Sequence, residues 1–511
     1  MGPLTLNDNP VESGVTVLVH GFYVQGEMTT PVDYWGVDKV VSLLTRLGGG
    51  VVYSYDRTSG AFVQDQRSEF TDPGVYRADG EVVLLHNWLA ASNEAEAGQA
   101  EAAAEALFTA LIDPNGDGQL ETTYVNLANP SQSKPLHFIG HSRGNPVVSE
   151  TVQRLGFYNV PVQYVTYLDA HDFGQPWIAQ DEYFHDPACQ VWDNVLYADN
   201  YYQQSMWTLG FQNPAGRPLD GIPNFPSGED RNLSDLAGFS SYPPRPHSLV
   251  INYYWGTINA GSENAEWYPD GTGAGYGFSK WLAGGGYDHP SDLTLTRANS
   301  KTMAGIVPFI WQNNISNDHY VPDDNDASPI FSTGDFELRD LDTGYLGNDP
   351  NSLAGWYFDG GGGSGHIWTE SGNTFLQLDY GHVSRTHNRF YVPQDATYLY
   401  FDYGVDIPLA NTSLTVYLDG QAIPWTFPTS HAISAMVPAQ CPIPEALRGT
   451  VHTLTFQVSD GGVFGTPQVD IDNIRFGEQQ AVDVLSVDPT AGAPMVARNV
   501  DVRIAFSKPM N

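Results

Sequence analysis

The sequence predicts an α/β domain built on a mostly parallel sheet, with helices on both faces, followed by an all-β sandwich. Three observations carry this. Up to about residue 325, short apolar runs alternate with segments of helical spacing, the pattern of a parallel sheet covered on both faces. From about Ser328 the helical spacing disappears, and short alternating strands follow one another between turn signals. Within the first part lies one strand–turn–helix unit, from Lys134 to Val148, around which the rest is organised.

Taken in order, Val15-Thr-Val-Leu-Val-His-Gly-Phe-Tyr reads as the first buried strand and ends in His20-Gly21-Phe22. Val37, Val40, Val41, Leu44 and Leu47 have the spacing of an amphipathic helix. Val51-Val-Tyr-Ser-Tyr-Asp is the next strand. The segment from Leu89 to Ile112 is rich in alanine and glutamate and is expected to be helix. Leu136, Phe138 and Ile139 mark a buried strand, and Val148, Val152 and Leu155 a helix after it. Val162 to Asp169 and Asn194 to Asp199 complete the strands of this part.

Between the strand at Leu136 and the following helix stands Gly140-His141-Ser142-Arg143-Gly144. In a chain with 52 glycines a G-x-S-x-G pattern alone is weak. Its setting carries the weight: strand, sharp turn and helix make a nucleophile elbow, in which the serine takes a strained backbone and its neighbours two residues away must be small. His137 alternates with core residues and reads as structural. His141 reads as the variable position of the pentapeptide.

The combination of Val17-Leu-Val-His-Gly-Phe, Gly140-His-Ser-Arg-Gly, Thr166-Tyr-Leu-Asp-Ala and Pro246-His-Ser-Leu-Val-Ile-Asn-Tyr-Tyr resembles an α/β hydrolase of the lipase and esterase type, over about three-fifths of the chain. The resemblance implies a catalytic triad in the order Ser, acid, His. Ser142 would be the nucleophile and His247 the general base, with backbone N–H groups of Phe22 and Arg143 as the oxyanion hole. Asp169 is the expected acid, with Asp199 the alternative and Asp172 a third candidate. It also implies a serine hydrolase working through an acyl-serine intermediate on a carboxylic ester, with hydrophobic or polymeric esters, polyesters included, among its substrates. An amidase or thioesterase using the same triad is one rival. A non-catalytic surface-binding protein on the same scaffold is another.

Two further stretches bear on function. Asp113-Pro-Asn-Gly-Asp-Gly places oxygen ligands at Asp113, Asn115 and Asp117, resembling the start of a dockerin-type calcium loop. Tyr124 stands where the bidentate acid would close the shell, so Glu121 would have to serve. A structural calcium and an Asp/Gly turn are both open. The interval from Tyr201 to Pro246, with Trp207, Phe211, Phe225 and Phe239, reads equally as a lid over an apolar substrate or as a surface excursion packing its own aromatics.

The second part resembles the jelly-roll modules found beside secreted hydrolases, some of which bind carbohydrate. Trp368 and Trp425 are its candidate ligand-stacking aromatics, against a competing core role, and Asp335, Glu337 and Asp472 could frame another calcium. The segment after about residue 480 resembles the first strands of a bacterial Ig-like domain. The expected domains are therefore 1–326, catalytic; 327–478, sandwich; and 479–511, partial Ig-like.

Composition sets the outer limits. With 59 Asp and Glu against 22 Lys and Arg, the net charge of −37 argues against a nucleic-acid partner, since phosphate neutralisation needs clustered cations. The expected partners are an ester substrate and a lipid or polymer surface. No apolar run reaches the ~18 residues that span a bilayer. The two cysteines, Cys189 and Cys441, fall in different expected domains, so a disulfide is not indicated. The texture, rich in aromatics and poor in charge, is that of an extracellular β-rich protein, and a secreted location is expected although no signal peptide is read at the N-terminus. No cofactor is expected for the chemistry.

Overall fold

The protein is described by a computed structural model. It covers residues 13–22, 29–93, 99–171, 186–187, 189–192, 194–204, 216–219, 228–234, 246–258, 356–359, 366–370, 373–379, 383–386, 389–407, 412–425, 427, 433–459, 468–477, 484–488 and 503–506.

The first part runs β1 (Val15–Val19), α1 (Pro31–Trp35), α2 (Val37–Arg46), β2 (Gly50–Asp56), β3 (Ala61–Gln64), α3 (Ser68–Thr71) and β4 (Glu81–His86). It continues with α4 (Leu89–Ser92), α5 (Gln99–Ile112), β5 (Leu136–His141), α6 (Gly144–Phe157), β6 (Val162–Leu168), β7 (Val195–Tyr202), β8 (Gly228–Asn232) and α7 (Pro246–Ile258). The strands form one sheet in the order β3-β2-β4-β1-β5-β6-β7-β8. All neighbours are parallel except β3, which pairs antiparallel to β2 at the edge.

Parallel strands covered on both faces need apolar residues at every position, and β1, β4 and β5 are buried throughout. Val15, Val17 and Val19 pack with α5 and α6 on one face. Leu18, Val52 and Val83 pack with α1, α2 and α7 on the other. The sequence reading passes over β4, although Val82 to Leu85 is a continuous apolar run after an Asp79-Gly80 turn. The expected helix from Leu89 to Ile112 is two pieces, α4 and α5, and residues 94–98 lie outside the described residues.

The second part holds β9 (Trp356–Asp359), β10 (His366–Glu370), β11 (Asn373–Asp379), β12 (Val383–Thr386), β13 (Phe390–Val392), β14 (Tyr398–Ile407), β15 (Ser413–Leu418), β16 (Gln421–Ala422), β17 (Ile433–Pro442), β18 (Thr450–His452), β19 (Leu454–Ser459) and β20 (Gln468–Gly477). Two five-stranded antiparallel sheets, β10-β11-β20-β14-β17 and β16-β15-β19-β12-β9, enclose one core. The alternation is clean in β15, where Leu414, Val416 and Leu418 point inward. Phe401 and Trp356 meet Phe456 from the two sheets. Trp425 packs against Phe401, Tyr403 and Phe427, so its ring belongs to this core. The side chains of Trp368, Asp335 and Glu337 lie outside the described residues, as does the expected boundary at 326. Of the Ig-like segment, the described residues form one antiparallel pair, β21 (Val484–Asp488) with β22 (Arg503–Phe506).

The expected fold class is therefore met in its coarser form: a mixed, mostly parallel sheet with few helices, then a β-sandwich. The two parts share a packed seam. The β13–β18 ribbon sends Tyr391 and Val451 into the core of the first part, where Tyr391 meets Tyr158 edge-on. Val451 N donates to Gly118 O at 2.9 Å, and Thr109 Oγ1 to Arg389 O at 3.0 Å. Cys189 and Cys441 are both buried, and no disulfide joins them. Among the described residues no helix is long and apolar enough to cross a membrane.

Candidate active site

The strand order reverses direction between β1 and β5: the chain leaves β1 toward β2 on one side and leaves β5 toward β6 on the other. In parallel sheets the crevice beyond the carboxyl ends of two such strands is where ligands bind. The residues there are His20-Gly21-Phe22 after β1 and Ser142 after β5.

Ser142 sits in the turn between β5 and α6 with φ 55, a left-handed conformation unusual for a residue with a side chain. The turn is over-determined. Ser142 N donates to Leu168 O at 2.9 Å, and Asn145 Nδ2 donates to both Ser142 O and Leu168 O. Side chains cannot fit on either side. A Cβ on Gly140 would lie 2.5 Å from Asn145 Oδ1, and one on Gly144 would lie 2.4 Å from Val19 O. The Ser142 hydroxyl is buried and has no hydrogen-bond partner among the described residues. In unliganded sites such a bond to a base is often long.

Asp169, at the end of β6, also has a left-handed backbone, φ 45. Its Oδ2 lies 2.6 Å from His247 Nδ1 at the start of α7. Gln203 supplies two more donors, its backbone N to Oδ1 and its Nε2 to Oδ2, both at 3.0 Å. Burial raises the Asp169 carboxyl above the ordinary carboxylate value, against the pull of these donors. Burial lowers the His247 ring below the ordinary imidazole value. Burial thus favours the neutral ring, and with Asp169 ionised the proton it accepts is the one on His247 Nδ1. Asp199 is engaged by the Tyr164 hydroxyl instead. Asp172 lies outside the described residues. The structure thus brings Ser142, Asp169 and His247 to one end of the sheet, with Asp199 turned to a tyrosine.

The segments that carry the two backbone donors named from the sequence lie beside Ser142: Arg143 follows it, and Gly21, just before Phe22, is so close that a Cβ there would lie 2.5 Å from Ser142 Cβ. The Arg143 N–H belongs to the first turn of α6, where N–H groups point out along the helix axis. Its guanidinium is fully buried and paired at 2.5 and 2.8 Å with Asp186, so the side chain pins the elbow from behind. Phe22 follows a peptide whose carbonyl, Gly21 O, lies 2.9 Å from His20 Nδ1. A trans peptide directs N–H opposite to C=O, so this bond also fixes the direction of the Phe22 N–H. His20 is held in turn by Trp88, whose Nε1 donates to His20 O at 2.7 Å.

Sequence reasoning missed Asn145, the residue directly after the pentapeptide, and Gln203, Asp186 and Tyr34, which no spacing connects to it. The lid candidates Trp207, Phe211, Phe225 and Phe239 lie outside the described residues.

At the candidate calcium loop, Asp113 Oδ2 accepts from Gly118 N at 2.9 Å and from Arg389 Nη1 of the sandwich at 2.7 Å. Asn115 Nδ2 donates to Glu121 Oε1 at 2.5 Å and to Asp117 Oδ2 at 3.2 Å. Among the described residues no cluster of His, Cys, Asp or Glu is arranged to hold a metal.

No family model and no curated protein matches the chain. Among solved structures, a glycoside hydrolase family 43 arabinoxylan arabinofuranohydrolase from Bacillus subtilis is similar over 22% of this chain and 23% of its own, at 14% identity and a TM-score of 0.18. A family 6 carbohydrate-binding module is similar over 24% of this chain and 86% of its own, at 17% identity and a TM-score of 0.17. A thermostable GH87 alpha-1,3-glucanase from Streptomyces thermodiastaticus is similar over 24% and 22%, at 21% identity and a TM-score of 0.15. This chain therefore spans under a quarter of the arabinofuranohydrolase. Likenesses this partial carry no argument about activity.

They do correct the family reading. The similar structures are glycoside hydrolases and carbohydrate-binding modules, not lipases or esterases, and neither of the other comparisons supplies a lipase or esterase relative. The expected lipase and esterase family is not borne out. With it go the serine carboxylic-ester hydrolase activity, the ester and polyester substrates and the amidase and thioesterase rivals, which rested on the resemblance rather than on a relative.

Proposed function

We propose that the first part of the chain is a catalytic α/β domain whose nucleophile is Ser142, and that the sandwich is its carbohydrate-facing partner. The observation that carries the first half is the 2.6 Å contact of Asp169 with a neutral His247, beside a buried serine in a left-handed turn. In this reading His247 takes the Ser142 proton through Nε2, Asp169 fixes the ring in the required tautomer, and the backbone N–H groups of Phe22 and Arg143 receive the negative charge that develops on the substrate. The strand reversal between β1 and β5 supports the same location.

Glycosidic cleavage by the usual route needs two carboxyl groups flanking the bond. The described site offers one, Asp169, and it is turned to His247; Asp199 and Asp186 are engaged by Tyr164 and Arg143. The geometry therefore favours a covalent serine step on an electrophilic centre over acid–base cleavage of a sugar linkage. For the sandwich, the names of its structural neighbours make a polysaccharide the first target to try, and no more than that.

The test is reaction of the full chain with a fluorophosphonate probe, with the adduct mapped by mass spectrometry and Ser142→Ala run in parallel. An adduct on Ser142 that disappears in the variant supports the nucleophile. A folded chain that takes up no probe overturns it. Co-sedimentation with insoluble polysaccharides addresses the sandwich separately.

A further inference from the structure

The buried rings beside Ser142 form a connected set that the serine–histidine–aspartate grouping does not use. His141 Nε2 lies 3.2 Å from the backbone oxygen of His247. Its other nitrogen, Nδ1, is hydrogen-bonded to the Tyr34 hydroxyl. That hydroxyl also meets the backbone N–H of Gly21.

The chemistry of the end groups fixes the direction of every bond. A carbonyl oxygen only accepts, so His141 Nε2 carries a proton and donates it to His247 O. The ring is buried, which holds it neutral, so Nδ1 carries a lone pair. Tyr34 must then donate to Nδ1, and its oxygen accepts from Gly21 N–H. The result is one chain of donors: Gly21 N–H to Tyr34 O–H to His141, then His141 Nε2–H to His247 C=O. The groups facing His141 are Tyr34, His247, Asp169 and His171.

We infer that Tyr34 and His141 are positioning residues, which lock the three segments carrying the site to one another. Gly21 precedes the Phe22 donor, His141 precedes Ser142, and His247 carries the base. The His247 ring is thus fixed from both sides, its Nδ1 by Asp169 and its backbone by His141. The His141 ring also covers it, with centroids 4.5 Å apart. The spacing leaves little room for error: a Cβ on Gly21 would lie 2.5 Å from Ser142 Cβ and 2.7 Å from the Tyr34 hydroxyl. Small displacements within such a set cost rate rather than binding, on the order of 10²-fold for an ångström.

This inference rests on Ser142 being the nucleophile, and the experiment separates the two. Fluorophosphonate kinetics would be measured for the parent chain, Tyr34→Phe, His141→Leu, the double variant and His141→Gln, with thermal melts to verify folding. Tyr34→Phe and His141→Leu are each expected to lower the maximal inactivation rate about 10- to 100-fold while the inhibitor constant stays within about twofold. The double variant is expected to be no slower than His141→Leu, because both break one chain. His141→Gln is expected to recover much of the loss, since an amide N–H can reach His247 O. Ser142 labelling at parental rate in both single variants, or additive losses in the double variant, overturns the inference.

If the parent itself is not labelled, the nucleophile reading fails. The relay is then read directly by NMR of isotopically labelled histidine. A neutral His141 protonated at Nε2, whose Nδ1 signal moves in Tyr34→Phe, supports it; protonation at Nδ1 overturns it.

Discussion

Asp169 Oδ2 lies 2.6 Å from His247 Nδ1, although 78 residues separate them in the chain. The bond holds the ring in the tautomer that leaves Nε2 free to accept a proton. Asp169→Asn would present an amide N–H to Nδ1 and favour the opposite tautomer, with little change in shape. Ser142 phosphonylation is expected to slow by on the order of 10⁴ while the melting temperature moves little. An unchanged rate in that variant would remove Asp169 from the site.

Gly21 leaves no room for a side chain beside Ser142. Its φ is unremarkable, so the constraint is space: any Cβ meets Ser142 Cβ, His141 O and the Tyr34 hydroxyl at 2.5–2.7 Å. Gly21→Ala is expected to displace the Phe22 donor or the serine and to cut the labelling rate by about 10²-fold or more. Intact-mass time courses, with a melt to verify folding, would measure it. A variant that labels at the parental rate would mean that the loop after β1 yields freely.

Five buried histidines make stability depend on pH. Burial lowers His20 to about 4 and His86 and His247 to about 3, and holds His137 and His141 well below 6.5. Between those values and 6.5 the unfolded chain binds protons that the folded chain refuses, so stability rises with pH across this window and is lost on acidification. Each such group contributes up to about 1.4 kcal/mol per pH unit. Asp169, raised to about 7 by burial, acts in the opposite sense, as does Glu105, whose carboxyl burial also raises. Ordinary surface carboxylates titrate near 4 and are essentially complete by about pH 5.5. Melting temperatures are therefore expected to climb between about pH 5.5 and 6.5 and to level off above. A flat profile there would contradict the burial of these rings.

Much of this arrangement was legible in the sequence because it is local. Gly140, Ser142 and Gly144 mark the elbow by spacing, and Asp169 ends an apolar strand run, as Asp199 does, so the sequence narrows the acid without choosing it. His247 follows a proline and precedes the apolar run Leu249 to Tyr254, which the sequence alone leaves open between helix and strand. The relations that hold the site rigid are not local. Tyr34 and His141 are 107 residues apart, and Asp113 and Arg389 are 276 apart. No periodicity encodes such a pairing. Glu81–His86 was missed for a different reason: a short apolar run does not by itself separate strand from buried helix. The family label failed because motifs of this size constrain backbone geometry far more than they constrain relatives or substrate.

Asp113 is fully buried, and the Arg389 guanidinium of the sandwich pairs with its Oδ2 at 2.7 Å. Arg389→Ala leaves that carboxylate with its backbone donors alone. Stripping one partner from a buried pair costs about 3 kcal/mol or more. The loss is expected to appear as a lower denaturant midpoint, with the two parts unfolding less cooperatively because the charged tie across the seam is gone and only Tyr391, Val451 and the Thr109 bond to the residue 389 carbonyl are left of those described above. The same substitution opens the loop to oxygen-seeking cations. Millimolar calcium is expected to leave the parent melt unchanged and to restore part of the loss in Arg389→Ala, through Asp113, Asn115 and Asp117. If calcium instead stabilises the parent, the guanidinium yields to the ion, and the loop is a metal site that Arg389 covers only in its absence.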